Sequence, residues 1–228
     1  MSPPTYGLIS FDLDGTLVDT AAEIAAAVNL ALQDHGLAPQ PPDQISLLIG
    51  AGTHALMLKL LLQMGVESSA ELPIGALLQS LDARYAETAG SSARLYPGAI
   101  EALLILRAAG LKLACVTNKE LRHALRVLER TGLAGQFDLV IGGDSLPQKK
   151  PDARVLCHVA ETLDVAIERS AHIGDSSIDV QAARNAGFAA WAVPYGYNGG
   201  EPVSQAAPDR LFTDLLAMAD HVLSPSLP

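Results

Sequence analysis

The stretch "FDLDGTLVDT", residues 11–20, follows the apolar run "YGLIS" and decides how the rest of the chain is read. It sets Asp12 and Asp14 two positions apart at the end of a strand candidate, with Gly15 directly after. In a strand, residues i and i+2 point the same way, so both acids could face one site. Because the strand ends here, the second acid could also turn into the loop. Two like charges resist desolvation and repel, so something must compensate for them, and a divalent cation is the obvious candidate.

Working outward, short β-rich apolar runs alternate with longer helical patterns, which predicts an α/β fold with a mainly parallel sheet. The strand candidates are "YGLISFD", "LKLACVT" (111–117), "FDLVIG" (137–142), "SAHIG" (170–174) and "AAWAVP" (189–194). Helical segments stop at Gly36-Leu37, Gly110-Leu111, Gly132-Leu133 and Gly187-Phe188, each a left-handed glycine followed by an apolar residue. Thr20 and Glu23 have capping-box spacing at the start of the first helix. Pro151 suits the first turn of the helix "PDARVLCHVAETL".

About 95 residues separate the first strand from the second, whereas a βαβ crossover needs roughly 30. That stretch reads as helical at 20–35, 52–64 and 74–89, with "PQPP" (39–42) as a rigid loop. The expectation is a Rossmann-like core, residues 1–16 and 95–228, with an inserted all-helical cap subdomain over 17–94.

Composition narrows the function. Of 228 residues, 49% are apolar, enough for a sizeable core, and the formal charge is −10. An acidic chain without clustered Lys and Arg argues against nucleic acid or an anionic membrane as partner. A small phosphorylated molecule bound at a local site remains compatible. Cys115 and Cys157 lack metal-type spacing and read as reduced core residues of a cytoplasmic protein. The start of the sequence has no basic segment followed by a long apolar one. The six histidines have no ligand spacing; His54, His123 and His158 are expected at surface or half-buried helix positions.

Ligands in open α/β sheets bind beyond the carboxyl ends of the strands. Besides Asp12 and Asp14, the second strand ends in Thr117 and Asn118, and the fourth in Asp175 and Asp179. The third leads to Lys149 and Lys150. Acids, a hydroxyl and an ammonium at successive strand ends can hold a hard cation and a phosphoryl oxygen together. Each part has a plainer reading. "DLDGTLVDTAAE" resembles a calcium loop, but Leu17 stands where that loop needs glycine, and a strand precedes it. Asp175 could be only a helix N-cap, Thr117 a strand-end hydroxyl, and the lysine pair a solvated helix start. The order of the motifs carries the reading.

"FDLDGTLVDT", "VTNK", "KKPD" and "IGDSSIDVQAA" resemble, in order, the four motifs of the haloacid dehalogenase superfamily in its phosphatase branch. "YPGAIEAL", "IGGDSLPQKKPD" and "PYGYNGGEP" bring the likeness closest to bacterial phosphoglycolate phosphatases. The resemblance implies Asp12 as nucleophile, forming an aspartyl-phosphate, and Asp14 as the general acid and then base. It implies Mg²⁺ held by the Asp12 carboxylate, the Asp14 backbone carbonyl and Asp175, with Asp179 behind them. Thr117, Asn118 and Lys150 would bind the phosphoryl group. Gly50 and Thr53, in the loop "IGAGTH" (49–54), would reach over the site from the cap. Candidates for a substrate carboxylate are the backbone amides of that loop with Thr53 and, more distantly, Lys59 and Arg84.

The implied activity is Mg²⁺-dependent hydrolysis of a small phosphomonoester, 2-phosphoglycolate first, in a cytoplasmic monomer or homodimer of carbohydrate metabolism. Alternatives are another small sugar or amino-sugar phosphate, or a phosphomutase. A dehalogenase normally lacks the second acid, and a phospho-acceptor receiver domain is about half this length. The pattern departs from the family at Glu120 and Ala153, where relatives often carry proline.

Overall fold

The structure, a computed structural model, describes residues 6–66 and 73–224. The outer ends of the expected division, 1–5 and 225–228, and its segment 67–72 lie outside the described residues.

Five of the strands match the apolar runs: β1 Leu8–Phe11, β4 Lys112–Val116, β5 Leu139–Ile141, β6 Ser170–Gly174 and β7 Ala189–Ala192. With β8, Arg210–Leu211, they form one sheet in the order β5-β4-β1-β6-β7-β8, every neighbouring pair parallel. β1 is central, its Leu8 level with Lys112 on one side and Ser170 on the other. Alternation along it splits the core. Ile9 and Phe11 pack with α5 Ala99–Ala108, α6 Leu121–Arg130 and α9 Leu215–Leu223; Leu8 packs with α7 Ala153–Thr162 and α8 Ser177–Ala186. The sheet is therefore covered by helices on both faces, as parallel strands require.

Between β1 and β4 the chain forms α1 Ala21–Asp34, α2 Pro42–Ser46, α3 Thr53–Gln63 and α4 Ile74–Thr88. α1 packs on α2 and α4, and α3 on α4, around Val28, Leu32, Ile45, Leu60 and Leu81. A two-stranded antiparallel ribbon, β2 Val18–Asp19 with β3 Arg94–Leu95, brings the ends of this helical stretch side by side. These strands and β8 are two residues long, too short for a periodic signal. The loop expected at 39–42 ends one residue early: Pro42 occupies the first turn of α2, where a missing N–H costs nothing.

The four glycine stops form as expected. At each, the glycine has positive φ and the next residue's amide reaches back five positions, as in Leu37 N to Leu32 O at 2.9 Å and Phe188 N to Ala183 O at 2.9 Å. Two start signals do not. Thr20 makes no cap bond with its side chain. Its hydroxyl donates instead to Asp14 at 2.6 Å, and the first amides of α1 donate to the Tyr197 phenol oxygen. Pro151 precedes α7, which is capped by Asp152 in an extended conformation. The N-cap of α8 is Ser176, not Asp175, with Asp179 completing a capping box.

Candidate active site

The carboxyl ends of β4, β1 and β6 lie side by side and deliver Thr117, Asp12 and Asp175 to one place. Ladder bonds run on past the strands, Asp12 N to Ile173 O and Thr117 N to Ile141 O, both 3.0 Å. Asp14 leaves the strand for a tight turn closed by Gly15 N to Val18 O at 2.9 Å. Gly15 has φ +88°, and a Cβ there would collide with the Asp175 carboxylate, so no other residue fits.

Lys150 arrives from the loop after β5 and is 5% exposed. Its Nζ lies 2.9 Å from Asp12 Oδ1 and 2.7 Å from Asp179 Oδ1. Lys149 beside it is exposed. The contact with Asp12 lacks hydrogen-bond geometry, which leaves that buried oxygen without a hydrogen-bond partner. Asp175 accepts from Thr16 Oγ1 at 2.8 Å and from the Tyr197 amide at 2.5 Å. Asp179 accepts from Ser176 N and Oγ and from His172 Nε2 at 3.3 Å. Because ionised Asp179 only accepts, His172 Nε2 carries the ring proton, and Nδ1 accepts from the Ser10 hydroxyl at 2.9 Å.

The charges are unevenly compensated. Burial pushes the Asp12 carboxyl up to about 7; Lys150 opposes the shift, and Asp179 and Asp14 add to it. Burial, then Asp179 and Asp12, raises Asp175 well above the carboxylate range. Asp179 also suffers from burial, but the Lys150 ammonium and the His172 bond outweigh that and hold it low. Carboxylate oxygens of Asp12, Asp175 and Asp179 lie within 4.8 Å of one another. Three buried acids around one ammonium, with an unbonded Asp12 oxygen, suit a hard divalent cation. Asp179 is already engaged by four donors, so Asp12 and Asp175 are the carboxylates with capacity left.

Above this floor lies a partly open cleft whose interior of about 20 Å³ has room for a single water. Asp12, Asp14, Thr117, Asn118 and Lys119 line it from the sheet side. Ile24, Ile49, Gly50, Gly52, Thr53 and Leu56 line it from the helical stretch. Gly50 O accepts from the Asn118 side chain at 3.1 Å. Gly52 has φ +92°, and a Cβ on it would stand 2.8 Å from Asn118 O, so glycine allows the two backbones to meet.

The structure thus brings Asp12, Asp14, Thr117, Asn118, Lys150, Asp175, Asp179, Gly50 and Thr53 to one site. It does not bring the two distant candidates there. Arg84 is committed to Asp34, with bonds of 2.8 and 2.7 Å, and Lys59 is exposed. The Thr53 hydroxyl is spent on Glu120 at 3.1 Å, so the residue that departs from the family pattern holds the roof loop. His123, expected at a surface or half-buried position, is 2% exposed, its ring tilted against that of Tyr85 with centroids 4.7 Å apart. Glu23 is buried with neither carboxylate oxygen hydrogen-bonded, and burial raises its pKa against the opposing Gly90 backbone and Lys119 charge.

Sequence reading missed Thr16, Lys119, His172 and Tyr197. Lys119 was inside the quoted "VTNK", and its charge at a strand end was the signal. Tyr197 was inside "PYGYNGG", but nothing local announces that its phenol caps a helix across the chain.

The haloacid dehalogenase-like hydrolase family matches the chain over residues 9–193. A phosphoglycolate phosphatase of Psychrobacter arcticus is 39% identical over 95% of both chains. One of Vibrio cholerae is 38% identical over 95% of this chain and 96% of its own. A crystal structure from Haemophilus somnus, described as a predicted phosphoglycolate phosphatase, superposes with a TM-score of 0.87 at 32% identity. It covers 95% of this chain and 96% of its own.

Proposed function

Since this chain belongs to the haloacid dehalogenase-like hydrolase family and is a phosphoric monoester hydrolase, we propose that it acts on small phosphomonoesters, 2-phosphoglycolate foremost. The observation that carries the reading is the convergence of Asp12, Thr117, Lys150 and Asp175 at the floor of one cleft.

In this reading an Asp12 carboxylate oxygen attacks phosphorus in line, and the bond to the ester oxygen breaks. The leaving oxygen takes its proton from Asp14. Water then attacks phosphorus of the aspartyl-phosphate and gives its proton to Asp14. Inorganic phosphate leaves, and the Asp12 carboxylate is restored. Thr117 and Lys150 hold the transferring oxygens, since phosphoryl transfer asks mostly for positioning and charge neutralisation. Mg²⁺ would be held by Asp12, the Asp14 backbone carbonyl and Asp175, and would supply neutralising charge at the phosphoryl group.

The helical stretch 17–94 acts as a cap on the core formed by 1–16 and 95–228. In this reading the cap opens to admit substrate and closes over it to exclude solvent, since its loop 49–54 meets the strand ends across a narrow cleft. A low roof favours small leaving groups. The two free thiols, one fully buried, and an acidic surface are in keeping with a cytoplasmic enzyme. Among the described residues no helix is long and apolar enough to cross a membrane.

The test is kcat/KM for 2-phosphoglycolate, ethyl phosphate and hexose phosphates, each with Mg²⁺ and with EDTA. Activity that survives chelation overturns the metal assignment. A hexose phosphate as the best substrate overturns the choice of 2-phosphoglycolate.

A further inference from the structure

We infer that Lys119 is the specificity residue for the carboxylate of the substrate, exchanging Asp14 for it as the ester binds. The inference rests on the reading of a carboxylate-bearing phosphomonoester and names the group that would recognise it.

Lys119 is 2% exposed, and its Nζ lies 2.5 Å from Asp14 Oδ1. It is the one cation among the described residues lining the cavity. The Tyr85 ring of α4 stands 5.1 Å from Nζ, so the helical stretch that roofs the cavity also holds the ammonium in place. The other side-chain candidates for a carboxylate offer no free donor to the cleft, and the loop 49–54 offers neutral backbone amides but no charge. Arg84 is bound to Asp34, the Thr53 hydroxyl to Glu120, and Lys59 is exposed.

Position supplies the rest. Asp14 is the group that meets the leaving oxygen, and in 2-phosphoglycolate one methylene joins that oxygen to the carboxylate. A cation already touching Asp14 is therefore beside the point where the carboxylate arrives. Thr20 and Lys119 both donate to Oδ1 of Asp14, and no described hydrogen bond reaches Oδ2. Transfer of the ammonium to the substrate would leave Asp14 held by Thr20. An ester without a carboxylate leaves Lys119 on Asp14, and a buried ammonium has no reason to move.

The experiment compares kcat/KM for 2-phosphoglycolate and ethyl phosphate, which lacks the carboxylate, in the parent, Lys119→Met and Lys149→Ala. The parent is expected to prefer phosphoglycolate by about 10²-fold, and Lys119→Met to lose most of that ratio. Lys149→Ala is expected to keep it, because that exposed side chain lies outside the cavity. If the parent prefers phosphoglycolate and Lys119→Met slows both substrates equally, Lys119 only positions Asp14 and the inference is overturned alone. A parent without the preference overturns the inference and the substrate reading together. Should Lys119→Met fail to fold, Lys119→Arg retains the charge with a longer fork. It is expected to lower phosphoglycolate turnover at least about tenfold more than ethyl phosphate turnover, and equal losses overturn the inference.

Discussion

The Thr16 hydroxyl donates to Asp175 Oδ1 across 2.8 Å, joining the turn after β1 to the end of β6. Both side chains are buried, so the bond fixes one strand end relative to the other at the point where a cation would sit. Thr16→Val keeps the shape and removes the donor. It should destabilise the protein by about 1–3 kcal/mol, the cost of an unmet buried acceptor. It should also weaken divalent-cation binding. Urea unfolding and calorimetric metal titration measure the two effects, and unchanged metal affinity would show that Asp175 needs no such support.

Lys150 and Lys149 separate cleanly. Lys150→Ala leaves Asp12 and Asp179 buried without their ammonium, a loss of about 3–5 kcal/mol, and should remove nearly all activity. Lys149→Ala should change stability by no more than about 0.5 kcal/mol, as for other exposed positions. Denaturation midpoints and steady-state rates rank the pair. The opposite order would move the phosphoryl-binding role to Lys149.

Asp12→Asn preserves volume but cannot attack phosphorus as an anion, so turnover should fall below about 1% of the parent. Thermal unfolding should show that the fold persists, because the change preserves shape and Lys150 keeps its hydrogen bond to Asp179. Rates need to be read alongside mass spectrometry, which excludes deamidation back to Asp. Substantial turnover by an intact Asn side chain would end the nucleophile assignment.

His123 makes stability depend on pH. Burial first, then the neighbouring Arg122, lowers its pKa to about 4, with Lys119 acting the same way and Asp82 and Asp144 opposing. In the unfolded chain the ring titrates near 6.5. Between these values the unfolded state binds more protons, so stability falls as pH drops from about 6.5 to about 4 and this contribution is then exhausted. The loss is on the order of 3 kcal/mol. Chemical denaturation of the parent and His123→Gln across that window should give a flatter curve for the variant.

The glycine stops show what was legible and why. Gly36, Gly110, Gly132 and Gly187 end their helices through bonds that span five residues, so the local sequence contains every participant. Gly65 makes a fifth stop of this type, Val66 N to Leu61 O at 2.9 Å, that the same rule would have found. The Thr20 start signal failed because its side chain had a stronger suitor. Thr20 met the Asp14 carboxylate, and Tyr197, 176 positions from Ala21, took over the helix amides.

The sequence by itself determined the run of strands and helices, the residue types at the strand ends, and the glycines where the backbone must turn left-handed. Those properties follow from alternation, helical period and backbone sterics, each decided within a few residues. Only the tertiary structure decided which charges meet. It gave Arg84 to Asp34, Lys119 to Asp14 and Lys150 to both Asp12 and Asp179. Electrostatic partnership depends on distance and burial in the folded chain. Residues more than a hundred positions apart, such as Asp14 and Lys119, acquire both only when parallel strands set their ends side by side.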